Sequence, residues 1–299
     1  MRLMSGTCPQ CGSDAALYFQ ATDVNQKLSG ATFDYYRCVR CKLLFLDPIP
    51  EDLPSYFPSD RHRTPQSLEQ LVQLEKKLHW RVELVQKYKD KGNLLEIGSS
   101  YGAFAYGAEL AGFRVEAIEM DKNCCDFINA MTNVTTINTT DIVQTMIARN
   151  KTYDIIAFWH SIEHISDHWA VLKQCKRVLR PGGVLIISTP NPYSIQFKLF
   201  KQYWMHLDAP RHVELIPLAT LTDFLKKMDM QLVYTTTTDP DGFVLNRIGW
   251  YHSVRHLFRI SSEKNWAGRI VSKILFLTIS PIERLMQRGA AYTAVYQKK

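Results

Sequence analysis

Four cysteines fall into two short pairs, Cys8-Pro-Gln-Cys11 and Cys38-Val-Arg-Cys41, separated by 26 residues. Four thiolates at this spacing fit a tetrahedral zinc ion. With four protein ligands the site is closed, so the metal expected there is structural. Redox-active pairs are the competing reading, but the surrounding sequence offers no thioredoxin-like setting. Further along, "WHSIEH" places His160, Glu163 and His164 within five residues. "QYWMHLDAPRHVEL" adds Trp204, His206, Asp208, Arg211 and His212. Histidine is the side chain best suited to take or give a proton near neutral pH. Arginine pairs well with anionic groups. Each histidine also has a structural reading: His164, for example, would cap or anchor its loop.

A third stretch, "LLEIGSSYGAFAYG" at 94–107, runs from an apolar segment through Glu96 into Gly98 and Gly102. Glycine permits a tight turn and close backbone approach. The helix expected next offers unpaired N–H groups at its start, suited to an anionic group. The dinucleotide fingerprint G-x-G-x-x-G does not fit, because its third position is Ser100 and its sixth is Ala103. Glu119 ends the next apolar segment, 21 residues after Gly98. An acid there can accept hydrogen bonds from both hydroxyls of a ribose. Sites for NAD and for S-adenosyl-methionine share that arrangement.

The elements that must position these residues follow from pattern. Residues 1–60 read as a small unit of alternating stretches, "ALYFQAT" and "FDYYRC", with the cysteine pairs at hairpin tips. A proline-rich exit follows. Residues 61–92 contain a linking helix, with Leu68, Leu71, Val72, Leu74, Leu78, Val82 and Val85 at helical spacing and Pro65 in its first turn. From Asn93 to the end at 299, strand-like and helix-like segments alternate. That predicts an α/β fold with a doubly wound parallel sheet. A helical, amphipathic insertion is expected at 243–290, before a last strand "YTAVYQKK".

The motifs of 93–191 resemble, in order, those of class I S-adenosyl-methionine-dependent methyltransferases. "LLEIGSSYGAF" resembles the glycine motif, "VEAIEMD" the second motif, and "DIIAFWHSIEHISD" the motif at strand four. "LKQCKRVLRPGGVLIISTPN" resembles the turn into strand five. The ubiquinone-biosynthesis O-methyltransferases and their sugar and natural-product relatives look most similar. One departure is Ser100 in place of the middle glycine, whose side chain must point away from the cofactor. The resemblance implies a Rossmann-like methyltransferase sheet and S-adenosyl-L-methionine as cofactor. It implies that Glu96 organises the loop and reaches the methionine amino group through water. Gly98, Ser100 and Gly102 would line the cofactor, Glu119 would hold its ribose, and Met120 would pack on adenine. Asp141 would accept from the adenine amine with Ile142 beside it; a helix N-cap is the other reading of Asp141. His160 would face the methionine end. The "W-x-x-x-D-x-P-R-H" stretch lies over the acceptor pocket in that family. This makes His212 the first candidate base and His206 the second. Trp204, Arg211 and His164 become candidate substrate contacts. His160, Glu163 and His164 match the position where ubiquinone-type relatives hold a divalent metal, although a histidine stands where they have an acid. Cys-Pro-x-Cys-Gly resembles the knuckle of a zinc ribbon, a unit found on some sugar-modifying methyltransferases.

Composition bounds the rest. Apolar residues make up 46% and charged residues 22% of the chain, an ordinary globular balance. No apolar leader opens the sequence, and the longest uncharged apolar run near the end, 274–282, is too short to span a bilayer. A cytoplasmic protein is expected. The net charge of +7 lies wholly in 250–299, which hold nine Lys/Arg against two Asp/Glu. The leading expectation is O-methylation of a small polar acceptor such as a sugar or sugar nucleotide. A nucleic-acid acceptor is less favoured, because no Asn/Asp-Pro-Pro-Tyr/Phe motif follows strand four. Residues 266–288 mix Trp, Leu and Ile with Arg and Lys, as a helix at a membrane interface would, although a helix packed in the domain is the simpler reading. A lipid-linked acceptor and a non-catalytic binding module complete the alternatives.

Overall fold

The computed structural model describes residues 5–57, 65–258, 260 and 266–299. The N-terminal part comprises β1 (Ser5–Thr7), β2 (Asp14–Thr22), β3 (Thr32–Cys38) and β4 (Leu44–Leu46), then α1 (Leu68–Gln86). The alternating part begins with β5 (Asn93–Ile97), α2 (Ala103–Leu110), β6 (Arg114–Glu119), α3 (Lys122–Met131), β7 (Thr135–Asn138) and α4 (Ile142–Arg149). It continues through β8 (Tyr153–Trp159), α5 (His168–Val178), β9 (Leu179–Pro190), α6 (Ile195–Phe200), β10 (Glu214–Leu215), α7 (Leu218–Lys226) and β11 (Met230–Thr236). Two long helices, α8 (Pro240–Leu257) and α9 (Trp266–Leu285), precede the last strand, β12 (Ala291–Lys298).

Seven strands form one sheet in the order β11-β12-β9-β8-β5-β6-β7. Strands β5 to β9 pair in parallel, and β12 enters antiparallel between β11 and β9. Helices cover both faces, so β8 from Ile155 to Trp159 is a continuous apolar run rather than an alternating one. Ile156 and Phe158 pack toward α5 and α7. Ile155, Ala157 and Trp159 pack toward α1 and α2. The strand order reverses at β5, the place where open α/β sheets bind their ligands, and Gly98 lies just past its carboxyl end.

Local sequence explains the helix starts. Ser67 caps α1 by accepting from the Gln70 N–H at 3.4 Å, so Pro65 precedes the helix instead of opening it. Asp121, Asp141, Asp167 and Asp239 cap α3, α4, α5 and α8 in the same way. Residues 61–64 of the expected linking segment, and 259 and 261–265 of the expected insertion, lie outside the described residues.

The N-terminal strands do not stand apart. Their sheet runs β1-β2-β3-β4-β10, and its last member belongs to the chain after β9. Glu214 pairs with Phe45 and Leu215 with Leu44. A shared apolar cluster that includes Tyr35, Leu44, Trp204, Leu207 and Trp250 fastens the two parts together.

Candidate active site

At the end of β5 the backbone makes three left-handed residues, Gly98 at φ +77°, Ser100 at +51° and Gly102 at +76°. A serine in this conformation carries a strain of about 1 kcal/mol. The Ser100 N–H donates to Glu119 Oε2 at 2.7 Å, and the Asp121 N–H donates to Oε1 at 2.9 Å. The acid at the end of β6 therefore shapes the glycine turn. Gly98 is glycine for a packing reason too: a Cβ there would come within 2.4 Å of the Ser161 Cβ. Gly102 precedes α2 with no side-chain cap, which leaves the first N–H groups of that helix for a ligand.

Glu96 is 2% exposed, and its Oε2 has no hydrogen-bond partner among the described residues. Burial pushes its carboxyl up to about 8, against the pull of Arg81 and with the repulsion of Glu119. A buried carboxyl with one unsatisfied oxygen is a place for a cationic group. Arg81 comes from α1, donates from Nε and Nη2 to Asp241 Oδ2 at 2.9 and 2.6 Å, and lies 4.8 Å from the centre of the Trp159 ring. Trp80 stands edge-on to Trp159 and donates its Nε1–H to Asp241 Oδ1 at 3.3 Å. The sequence reading missed Trp80, Arg81, Trp159 and Asp241. They come from three distant segments, and no local motif connects them. Met120 is exposed at the rim, Asp141 caps α4 by accepting from the Gln144 N–H at 3.0 Å, and Ile142 is buried beside it.

The histidines gather beyond the end of β8. His160 takes a left-handed φ of +54°, and its Nε2 lies 3.1 Å from Ser188 Oγ. Burial lowers its pKa to about 3. Its Nδ1 is 4.0 Å from Glu163 Oε1, and His212 Nε2 is also 4.0 Å from that oxygen. Glu163 is 1% exposed and accepts from Thr189 Oγ1 at 3.0 Å. His212 Nδ1 is 2.9 Å from the His206 carbonyl, and His164 Nδ1 is 3.0 Å from the Arg211 carbonyl. A carbonyl only accepts, so in both rings Nδ1 carries the proton and Nε2 is the basic nitrogen. His212 Nε2 also lies 3.9 Å from Asp208 Oδ2. The ligating atoms of Glu163, His164 and His212 all lie within 4.8 Å of one another. This set replaces the expected His160, Glu163 and His164.

These distances place two buried acids at the sheet's reversal point with a histidine cluster beyond the end of the neighbouring strand β8. A family profile for methyltransferase domains matches residues 62–235, more than half of the chain. The chain belongs to this methyltransferase domain family. A ubiquinone biosynthesis O-methyltransferase of Cereibacter sphaeroides is 28% identical over 123 residues, 39% of this chain and 47% of that protein. A protein of the same description from Vibrio cholerae is 26% identical over 102 residues, 33% of this chain and 42% of that one. The chain thus spans about half the length, or less, of these curated relatives. Among solved structures, the cyclopropane synthase MmaA2 of Mycobacterium tuberculosis aligns over 84% of this chain and 95% of its own with a TM-score of 0.50 and 14% identity, a likeness of fold.

Within the methyltransferase domain three expected contacts change role. Arg211 is fully buried and does not face an acceptor. It donates to both Asp208 oxygens, to Asp23 Oδ1 at 2.8 Å and to the Tyr56 carbonyl at 3.2 Å. Trp204 is likewise fully buried, set against Phe197 and His206. It is a packing residue and does not face an acceptor. His206 places Nε2 3.0 Å from the Leu245 carbonyl, so that nitrogen carries a proton and is not a base. Burial lowers its pKa to about 4. The physical reason is common to all three: the N-terminal sheet and α8 close over the 204–212 loop and bury its larger side chains.

The four cysteine sulfurs converge. Sγ–Sγ distances are 3.6 Å for Cys8–Cys41, 3.5 Å for Cys11–Cys38 and 3.7 Å for Cys11–Cys41. Four sulfurs each about 2.3 Å from a tetrahedral ion stand roughly 3.8 Å apart, so the cluster fits zinc. The Arg40 and Cys41 N–H groups point at Cys38 Sγ from 3.4 Å, as donors that would stabilise a thiolate.

Proposed function

We propose that this protein transfers the methyl group of S-adenosyl-methionine to a hydroxyl of a small polar acceptor, a sugar or sugar nucleotide being the class favoured. The observation that carries it is the pairing, at the sheet's reversal point, of Glu96, whose Oε2 is buried and unsatisfied among the described residues, and the turn-bound Glu119 with a histidine whose basic nitrogen lies about 4 Å from two carboxylates. When bound, S-adenosyl-methionine supplies a methyl group already activated on sulfur. The chain's own task is to orient the reactants and to take a proton. Glu119 would accept from the ribose hydroxyls. Glu96 would neutralise the amino group, and Arg81 would face the carboxylate. Met120, Asp141 and Ile142 would border the adenine. His212 Nε2 would receive the acceptor's proton, with Glu163 and Asp208 stabilising the resulting imidazolium. His160 and His164 would line the acceptor's approach. The cysteine cluster would hold zinc as a structural centre in a ribbon-like unit.

Calorimetry tests the cofactor half. Wild-type protein is expected to bind S-adenosyl-methionine, and Glu119→Ala to weaken binding by about tenfold or more, the loss of two hydrogen bonds to a charged acceptor. Unchanged affinity in that variant would remove the ribose assignment. Binding should also depend on pH. Glu96 is held largely protonated below about pH 8, and a cationic partner favours its ionised form. Binding therefore expels a proton, and affinity should rise by up to about tenfold per pH unit from roughly pH 6 toward 8, then level off. Glu96→Gln should flatten that rise; a profile equally steep in the variant would assign it to another group.

The convergence of Glu163, His164 and His212 favours a second reading, in which one carboxylate and two imidazoles hold a divalent cation beside the acceptor. Turnover that is lost on chelation and restored by a divalent ion, with the cysteine-bound metal still in place, would select it.

A further inference from the structure

The helix α9 is apolar on two sides. Its inward side packs Leu275, Phe276 and Ile279 on the core beside the buried Gly268, Ser272, Ser280 and Glu283, while Trp266, Ile270, Ile274, Leu277 and Leu285 face outward. The exposure is large: 73% for Trp266, 60% for Leu277 and 86% for Leu285. Spacings of four, four, three and eight residues put these five side chains on one stripe. The inward apolar side already fastens the helix to the domain, so the core has no use for the outward stripe. Arg269, Lys273 and Arg284 are exposed, and helical spacing sets them along one border of the stripe. The single acid of α9, Glu283, is turned inward toward the Trp250 Nε1–H and the Gln196 amide. At the neighbouring end of α8, Leu257 and Phe258 add exposed apolar surface.

We propose that the α8–α9 hairpin docks this protein on an anionic lipid bilayer, lying in the interface without crossing it. Charge selects this occupant. The exposed side of α9 bears cations and no acid, and the whole net charge of +7 resides in 250–299. An apolar stripe bordered by Lys and Arg is the form of an interfacial helix, whose long basic side chains reach headgroup phosphates while the stripe enters the acyl boundary. No helix among the described residues is long and apolar enough to cross a membrane, in keeping with surface docking. The hairpin is also tied to the candidate active site. The Leu245 carbonyl of α8 holds His206, and Ser253 Oγ of α8 accepts from the Met205 N–H at 3.0 Å. Docking would thus set the candidate active site close to the bilayer surface. The proposal stands independently of the methyl-transfer reading.

Flotation of the full chain with lipid vesicles tests it. The protein is expected to float with vesicles containing phosphatidylglycerol, to float about tenfold less with pure phosphatidylcholine, and to lose binding as salt rises. The pair Ile274→Glu and Leu277→Glu should lower flotation by at least about tenfold with an unchanged thermal midpoint. Should that pair melt early, Arg269→Glu with Lys273→Glu, which alters exposed cations only, is expected to give the same loss. Absence of flotation, or flotation unaltered in the variants, overturns the proposal. So does a dimer seen by light scattering that the same substitutions dissociate, because the stripe would then be a contact between copies of this chain.

Discussion

His212→Gln is expected to lower turnover by about 10²- to 10⁴-fold, the range for removal of a positioned general base. The variant keeps a side chain able to donate to the His206 carbonyl but has no basic nitrogen. Affinity for S-adenosyl-methionine should stay within a factor of about two, because Glu96 and Glu119 belong to β5 and β6 and not to the loop that carries His212. The measurement is release of S-adenosyl-homocysteine with labelled cofactor and fractionated metabolite, lipid and nucleic-acid acceptors. Wild-type protein should label the polar metabolite fraction and the variant should not. His206→Gln should cost less, because its Nε2 already donates to the Leu245 carbonyl. If His212→Gln turns over at the wild-type rate while His206→Gln does not, the base assignment is wrong. Labelling confined to the nucleic-acid fraction would replace the acceptor class.

Removing the metal expected at the cysteine cluster should have the largest effect on stability. Binding of structural zinc to small finger domains is worth about 10–16 kcal/mol near neutral pH, so their fold depends on it. Cys38→Ser, or exhaustive chelation, should therefore unfold residues 5–57 and expose the 204–216 loop. That loop is held from the N-terminal sheet by the Tyr35 hydroxyl on the His212 carbonyl at 2.8 Å, by Asn25 on the Met205 carbonyl at 2.8 Å, and by the β4–β10 pairing. Asp23 closes the ion pair with the buried Arg211. Loss of these contacts should abolish turnover while cofactor affinity changes only a few-fold. Metal analysis should give zinc in a one-to-one ratio, and hydrogen exchange should show the loop released. A metal-free protein with a fully protected loop and normal turnover would contradict both the zinc assignment and the positioning role.

Much of the methyltransferase sheet was legible because its signals are local. The run 155–159 is apolar throughout, as a strand buried on both faces must be, and the Asp caps mark where the helices begin. Gly98 and Gly102 announce a turn whatever lies around it. The cysteine pairs bring their sulfurs together through two hairpins whose geometry depends on neighbouring residues only. Glu119 could be placed by its distance from Gly98 along one βαβ unit. Arg211 is the instructive opposite. An arginine beside two histidines in a loop looks like a substrate contact, but its fate rests on Asp23, which approaches from 188 residues away. Trp204 and His206 were misread for the same reason, since the covering surfaces come from β3, β4 and α8.

The sequence by itself determined the parallel sheet, the glycine turn with its two acids, and the four-sulfur cluster, because each depends on spacing within one or two adjoining elements. Only the tertiary structure decided which histidine keeps a basic nitrogen toward Glu163, that Arg81 meets Asp241 160 residues away, and that α9 leaves a second apolar stripe facing outward. Those outcomes follow from which surfaces of distant segments cover one another, and burial and partner choice are set by that covering, not by the identity of the residue.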